Sequence, residues 1–356
     1  MWLYFLVVPA LIAMFVVRKN RAGYYLISFI LVSYMVFLMG FRGELVGVDT
    51  QAYYDIFYLA NNAPNSAYID KLEPLYVLLN KVVGTFGAAP VVIFVTSLFC
   101  LVSVFIFIHK YSLYPSLSWA VFLVYSFFLF HNVLRQSVAV AIILLAIPFL
   151  INRSFFRFLF MLCLASAFHY TAIVFAPAYF LNRALSVVLL VSVWAASMCF
   201  AIFSSLFFKS IQLIQHIIPD RYAGFLSDER VSMLGGGGLG VRLLVMQFIA
   251  AFFIYCLLIM KKNKERHVGS FFFIQMGLIA IILENVFYSV GLIDRLTIYF
   301  TIFVSIAFPF SIAIGVRGEH RRFIAVLGLA GFVVLYLRAV LTSSNGVFPY
   351  TNILLG

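Results

Sequence analysis

What most narrows the fold of this chain is a succession of apolar runs, each near the length that crosses a bilayer. In hydrocarbon no water satisfies backbone N–H and C=O groups, so a run of about 20 apolar residues spans only as a helix. Such runs lie at 1–17, 23–40, 88–108, 116–131, 136–151, 185–207, 241–260, 268–288, 296–315 and 323–341. Composition agrees: 65% of the 356 residues are hydrophobic and only 10% are charged, where a soluble domain carries about 25%. Too little polar surface remains to coat a globule in water, which argues against a cytosolic enzyme. The predicted fold class is all-α: one polytopic integral-membrane domain over 1–356, with about 12 transmembrane helices.

The net charge of +12 would suggest a nucleic-acid partner in a soluble protein, but in a membrane protein it marks loops held on the cytoplasmic side. No nucleic acid is expected to bind. The first run has no basic residue before it and Arg18, Lys19 and Arg21 after it, which argues for an outside N-terminus. Counting from there, Lys261, Lys262, Lys264 and Arg266, and Arg317, Arg321 and Arg322, fall inside only if 155–183 crosses an even number of times. Phe155 to Leu181 is too short for two full spans. Two half-length helices, 155–168 and 170–181, are therefore predicted, breaking around His169. Such a break is tolerated only where it is buried in protein or lines a wet cavity. The inside then carries 14 basic and two acidic residues, and the outside ten of each.

Two outer loops are long, 41–87 and 208–240. The first includes an amphipathic piece over 73–86, suited to lie in the interface or to re-enter. The second carries four consecutive glycines, Gly235 to Gly238, and reads as a mobile lid over a cavity or as a plain connector. No internal repeat is visible.

Charge within or beside a membrane helix is costly and ordinarily faces a polar interior. Arg135 and Arg295 each stand where a helix starts at the outer face and runs inward, and Arg42 lies at the outer end of 23–40. Free N–H groups at a helix start together with an arginine make an anion site suited to phosphate or pyrophosphate. The plainer alternative is that these arginines snorkel to headgroups, or pair with Asp294 and Glu284, with Asn285 sharing the network. His169, at the hairpin break, has the chemistry of a general base for a hydroxyl nucleophile, with Asp49 as its competitor. The stretch from Arg42 to Tyr54 mixes Glu44, Asp49, Tyr53 and glycines, and tyrosines beside carboxylates suit sugar recognition or an interfacial aromatic belt. The remaining histidines show no metal-ligand spacing, the four cysteines lie unpaired in apolar runs, and no nucleotide motif occurs, so no metal or cofactor is expected.

These residues, taken in order, resemble the EpsG family within the Wzy-type polysaccharide polymerases. The matching pieces are Arg42-Gly43 with Asp49-Thr50 and Tyr53; Glu73-Pro74-Leu75-Tyr76; Leu134-Arg135-Gln136-Ser137; Ala165 to Thr171 around His169-Tyr170; Asp294-Arg295-Leu296 with Tyr299; and Pro349-Tyr350. The resemblance implies a metal-independent glycosyltransferase in the bacterial cytoplasmic membrane. It would polymerise oligosaccharide units carried on undecaprenyl pyrophosphate, at the face toward the periplasm or cell exterior, for O-antigen, capsule or exopolysaccharide. Donor and acceptor would both be lipid-linked, with membrane lipids and a chain-length regulator as further partners. Arg42, Arg135 and Arg295 would then hold pyrophosphate, His169 or Asp49 would act as base, and Glu44, Tyr53, Glu73, Gln136, Tyr170, Asp294 and Tyr299 would support the sugars. A flippase for lipid-linked oligosaccharide is the alternative, since broken helices around a polar cavity also suit transport.

Overall fold

A computed structural model describes residues 2–17, 20–64, 72–212, 241–263, 268–287, 294–343 and 346–354. They are helical throughout apart from turns and one isolated bridge between Arg42 and Asn352. Among the described residues six helices have the length and apolar character to cross a membrane, and further apolar helices are shorter. Their exposed faces are apolar as well: Phe29, Phe156, Phe160, Phe248 and Val334 all lie open. A chain that leaves such side chains exposed along its helices is built for a lipid solvent, and the protein is polytopic in the membrane.

The chain divides into two compact units, one formed by Met1–Asn182 with Val316–Gly356 and the other by Arg183–Gly315. The first begins with α1 (Trp2–Phe5), α2 (Val7–Val17) and α3 (Arg21–Gly40). The long loop that follows is not irregular, for it folds α4 (Thr50–Asn62) and α5 (Pro74–Gly84). The amphipathic stretch expected over 73–86 is thus a helix, started by Pro74 in its first turn, where a missing N–H costs nothing. Next comes α6 (Ala89–Tyr111). The run expected at 116–131 forms α7 (Pro115–Phe122), a π-turn at Leu123–Phe127 and α8 (Phe128–Asn132). Val133, at φ −99° and ψ 56°, breaks the helix before α9 (Leu134–Ile151).

The predicted hairpin is present. Helix α10 (Phe155–Phe168) ends at His169, whose backbone is extended, and a 3-10 turn (Tyr170–Phe175) and α11 (Ala178–Leu181) follow. Arg153 and Asn182 close its base: the guanidinium donates to Asn182 O over 2.5 Å, and the Asn182 amide donates to Leu150 O over 2.9 Å. Helix α10 packs along α9 and touches α5, which brings the hairpin break and the start of α5 into one neighbourhood.

The second unit contains α12 (Val187–Gln212), α13 (Val241–Asn263), α14 (Val268–Phe287), a 3-10 turn at Asp294–Thr297, α15 (Ile298–Thr301) and α16 (Val304–Gly315). Small residues allow close packing here: a Cβ on Gly277 would lie 2.6 Å from Ala307 Cβ and 2.7 Å from the Phe253 ring. Three of its helices are cross-linked by side-chain hydrogen bonds, Trp194 to Gln247, Gln247 to Asn285 and Asn285 to Ser197. Asn285 therefore belongs to a network within this unit. Helix α17 (Arg321–Leu341) returns to the first unit and packs on α7. The proposed lid, 208–240, begins in the last turn of α12, and its remainder from 213 on lies outside the described residues.

Candidate functional site

In the first unit one carboxylate joins two of the residues singled out from sequence. Glu73 Oε2 accepts from Arg135 Nη1 at 2.5 Å, and Glu73 Oε1 lies 2.6 Å from His169 Nδ1. The three come from separate elements: the residue before α5, the first turn of α9, and the hairpin break after α10. Local sequence explains how Glu73 is available. It precedes Pro74, and a residue before proline is pushed to extended backbone, seen here as φ −70° and ψ 138°. In that conformation its side chain makes no cap to its own helix and reaches across to the neighbours.

The Glu73 side chain is 4% exposed, whereas Arg135 and His169 are exposed to 25% and 22%. Burial alone would raise the Glu73 carboxyl. The His169 hydrogen bond and the Arg135 charge outweigh it and hold the group below its ordinary range, so it is ionised at neutral pH. An ionised carboxylate only accepts, so Nδ1 of His169 must carry the proton toward it. Arg135 lies over the Tyr76 ring, its guanidinium carbon 5.9 Å from the centroid. Tyr53 meets Tyr76 edge-on at 6.1 Å. Among the described residues the other N–H groups of Arg135 and Nε2 of His169 have no hydrogen-bond partner.

Arg42, expected at an anion site, is instead interior to the protein at 1% exposure. Its guanidinium donates to Met39 O (2.5 Å), His131 O (2.6 Å) and Thr50 Oγ1 (3.1 Å). The break at Val133 is the reason. The last carbonyls of α8 have no helical donor ahead of them, and buried as His131 and Asn132 are they need one. Arg42 supplies His131 O, and Tyr53 supplies Asn132 O through its hydroxyl at 2.8 Å. Burial lowers Arg42 to about 10, which leaves it charged at neutral pH, and pushes the Tyr53 hydroxyl up to about 12, which keeps it a donor. Asn132 Oδ1 in turn accepts from Val48 N at 2.7 Å.

Residues 346–354 close this loop from the other side. Gly43 N donates to Thr351 O, Ile353 N to Phe41 O, Gly47 N to Gly346 O, and the Tyr350 hydroxyl to Leu38 O. Two glycines are required by the fit. A Cβ at Gly43 would sit 2.1 Å from Thr351 Oγ1, and Gly47, at φ +92°, would place one 2.7 Å from Asn132 Oδ1.

The other sequence candidates fall as follows. Asp49 is part-exposed at the start of α4 and Glu44 is exposed in the loop before it. Gln136 is buried in the first turn of α9, and Tyr170 is 58% exposed beside His169. Asp294, Arg295 and Tyr299 belong to the second unit, with Arg295 part-buried in the one-turn 3-10 helix and Tyr299 fully buried in α15. Glu284, offered from sequence as a partner for the arginines, accepts hydroxyls from Thr297 and Thr301 at 3.2 and 3.1 Å within that unit. Arg135 has Glu73 as its ion-pair partner. Asn132, Thr50, Tyr76 and Asn352, which organise the site, were not singled out for a role. The polar pair His131-Asn132 inside an apolar run was the available signal for the first of them. Among the described residues no three of His, Cys, Asp or Glu cluster so as to hold a metal ion.

The fold and site define a polytopic, all-helical membrane protein whose part-exposed arginine and histidine are linked through a buried carboxylate. The family model described as EpsG family matches residues 2–352, and the chain belongs to the EpsG family. No curated protein and no solved structure matches it.

Proposed function

We propose that the protein is a polysaccharide polymerase that transfers a growing chain from a polyprenyl pyrophosphate to the hydroxyl of a second lipid-linked unit. The reading takes undecaprenyl pyrophosphate as the carrier and the outer face of the bacterial cytoplasmic membrane as the place of reaction. The observation that carries it is the Glu73-linked pair, a guanidinium and an imidazole held in one neighbourhood with N–H groups and Nε2 left over. A glycosyl pyrophosphate already has a good leaving group, so the demands on the protein are two: a cation for the departing charge and a base for the acceptor. Arg135 meets the first through its remaining N–H groups, and His169 Nε2 meets the second. As the acceptor oxygen bonds to the anomeric carbon, that carbon's bond to the phosphate oxygen breaks and polyprenyl pyrophosphate leaves with the electron pair. The acceptor proton passes to Nε2. His169 is taken as base, ahead of Asp49, because Glu73 joins it to Arg135. Arg42 is assigned to loop architecture, and Arg295 is kept as an independent candidate of the second unit.

The test is polymer formation in cells carrying Arg135→Ala or His169→Ala at normal membrane levels. Loss of the polymer ladder is expected, and normal ladders from both variants would refute the assignment. Purified protein in liposomes separates catalysis from transport: chain extension without flipping supports the enzyme, and flipping without extension supports the flippase.

A further inference from the structure

We propose that Glu73 is a positioning residue that selects the His169 tautomer through one oxygen while Arg135, on the other oxygen, keeps it ionised and in place. The inference rests on the reading of His169 as base. The geometry is that of a base with an orienting group behind it: a carboxylate on Nδ1 leaves the lone pair on Nε2, and it stabilises the imidazolium that forms when Nε2 takes a proton. Glu73 is itself a poor base, since it is buried and both oxygens are engaged. Helix α10 packs against α5 and α9, and the titratable or charged side chains gathered around Glu73 are Arg135, His169, Tyr76, Tyr53 and the adjacent Tyr170. Glu73 is the only carboxylate within hydrogen-bond reach of the imidazole among the described residues.

Arg135 then has two separable tasks. One guanidinium nitrogen holds Glu73, and the rest of the fork faces the donor. A carboxamide at position 73 cannot serve both partners, because its oxygen satisfies one and its NH2 confronts the other with a donor. If the oxygen stays with Arg135, the NH2 donates to Nδ1 and forces the proton of neutral His169 onto Nε2, where it blocks the base.

The experiment is ¹⁵N NMR of histidine-labelled protein in nanodiscs, with the His169 signal assigned by its loss in His169→Gln, alongside chain-extension kinetics. In the unaltered protein His169 is expected as the Nδ1–H tautomer. E73Q should move it toward Nε2–H and lower kcat by about 100-fold or more, the range of a lost general base, with little change in donor KM. E73D, which keeps the charge, should restore the Nδ1–H signal and part of kcat. R135K should keep the tautomer, because a cation still faces Glu73, yet raise donor KM. An Nε2–H tautomer in the unaltered protein, or an unchanged tautomer and kcat in E73Q, overturns the proposal. The expected tautomers in a protein that extends no chain would leave Glu73 as positioner and refute the polymerase reading instead.

Discussion

Val48 donates its backbone N–H to Asn132 Oδ1 over 2.7 Å, which fastens the loop after α3 to the last residue of α8. The same asparagine offers its main-chain oxygen to the Tyr53 hydroxyl, so one residue ties together the loop, α4 and the helix break two positions ahead of Arg135. An unsatisfied, part-buried N–H costs about 1–3 kcal/mol. Asn132→Ala should therefore lower the thermal unfolding midpoint of the purified protein, whereas Asn132→Asp, which keeps the acceptor, should lower it less. Equal midpoints for the alanine variant and the parent would show that the loop is held without this contact.

Gly47 tests the same junction from its other side. Alanine there meets two penalties, a positive φ of +92° and a Cβ 2.7 Å from Asn132 Oδ1. Asn132 cannot retreat without releasing Val48. Gly47→Ala should destabilise by about 1–3 kcal/mol, measured by the same unfolding assay, and Gly47→Ala with Asn132→Ala should cost less than the sum of the two.

Arg42 and Arg135 should fail in different ways. Hydrogen bonds from a charged donor contribute about 1.5–3 kcal/mol each, and Arg42 makes three inside the protein. Arg42→Ala should therefore deplete folded protein from the membrane. Arg135→Ala, at a part-exposed position, should leave its amount near normal while polymer is lost. Quantitative immunoblots set against polymer ladders read both effects, and normal folded levels of Arg42→Ala would contradict its architectural role.

Acid should undo the Glu73 link. Its folded-state pKa is lowered from the ordinary 4.5 by His169 and then Arg135, against burial. A lowered carboxyl contributes stability that is fully present above its unfolded value and lost as pH falls through the folded one. The unfolding midpoint of the parent should thus fall more steeply than that of Glu73→Gln below about pH 4.5. Parallel curves for the two proteins across that window would contradict the ionised link.

The membrane architecture and the break at His169 were legible because both follow from length: apolar runs span or fall short, and Phe155–Leu181 falls short of two spans. The individual residues Arg135, His169 and Glu73 were legible as polar exceptions in apolar surroundings. Their pairing was not. Glu73 lies 62 positions from Arg135 and 96 from His169, and helix counting gives depth but not lateral neighbours. For Arg135, depth alone offered Asp294 and Glu284, and its partner is Glu73. The surroundings of Arg42 were illegible for a related reason. A charge at a helix end looks the same in sequence whether it awaits an anion or completes a carbonyl 89 residues away, left open by a helix break.

The strap formed by residues 346–354 also sets an order of assembly. Tyr350 reaches back 312 positions to Leu38, and the whole second unit is synthesised between the two parts of the first. The loop beside the Val133 break therefore waits for the whole second unit to be made before it gains these hydrogen bonds. Its early helices are made before the segment that completes this loop exists, so contacts this distant in sequence close among the last. On this account the loop beside the candidate site is completed only once the second unit has been made, rather than helix by helix.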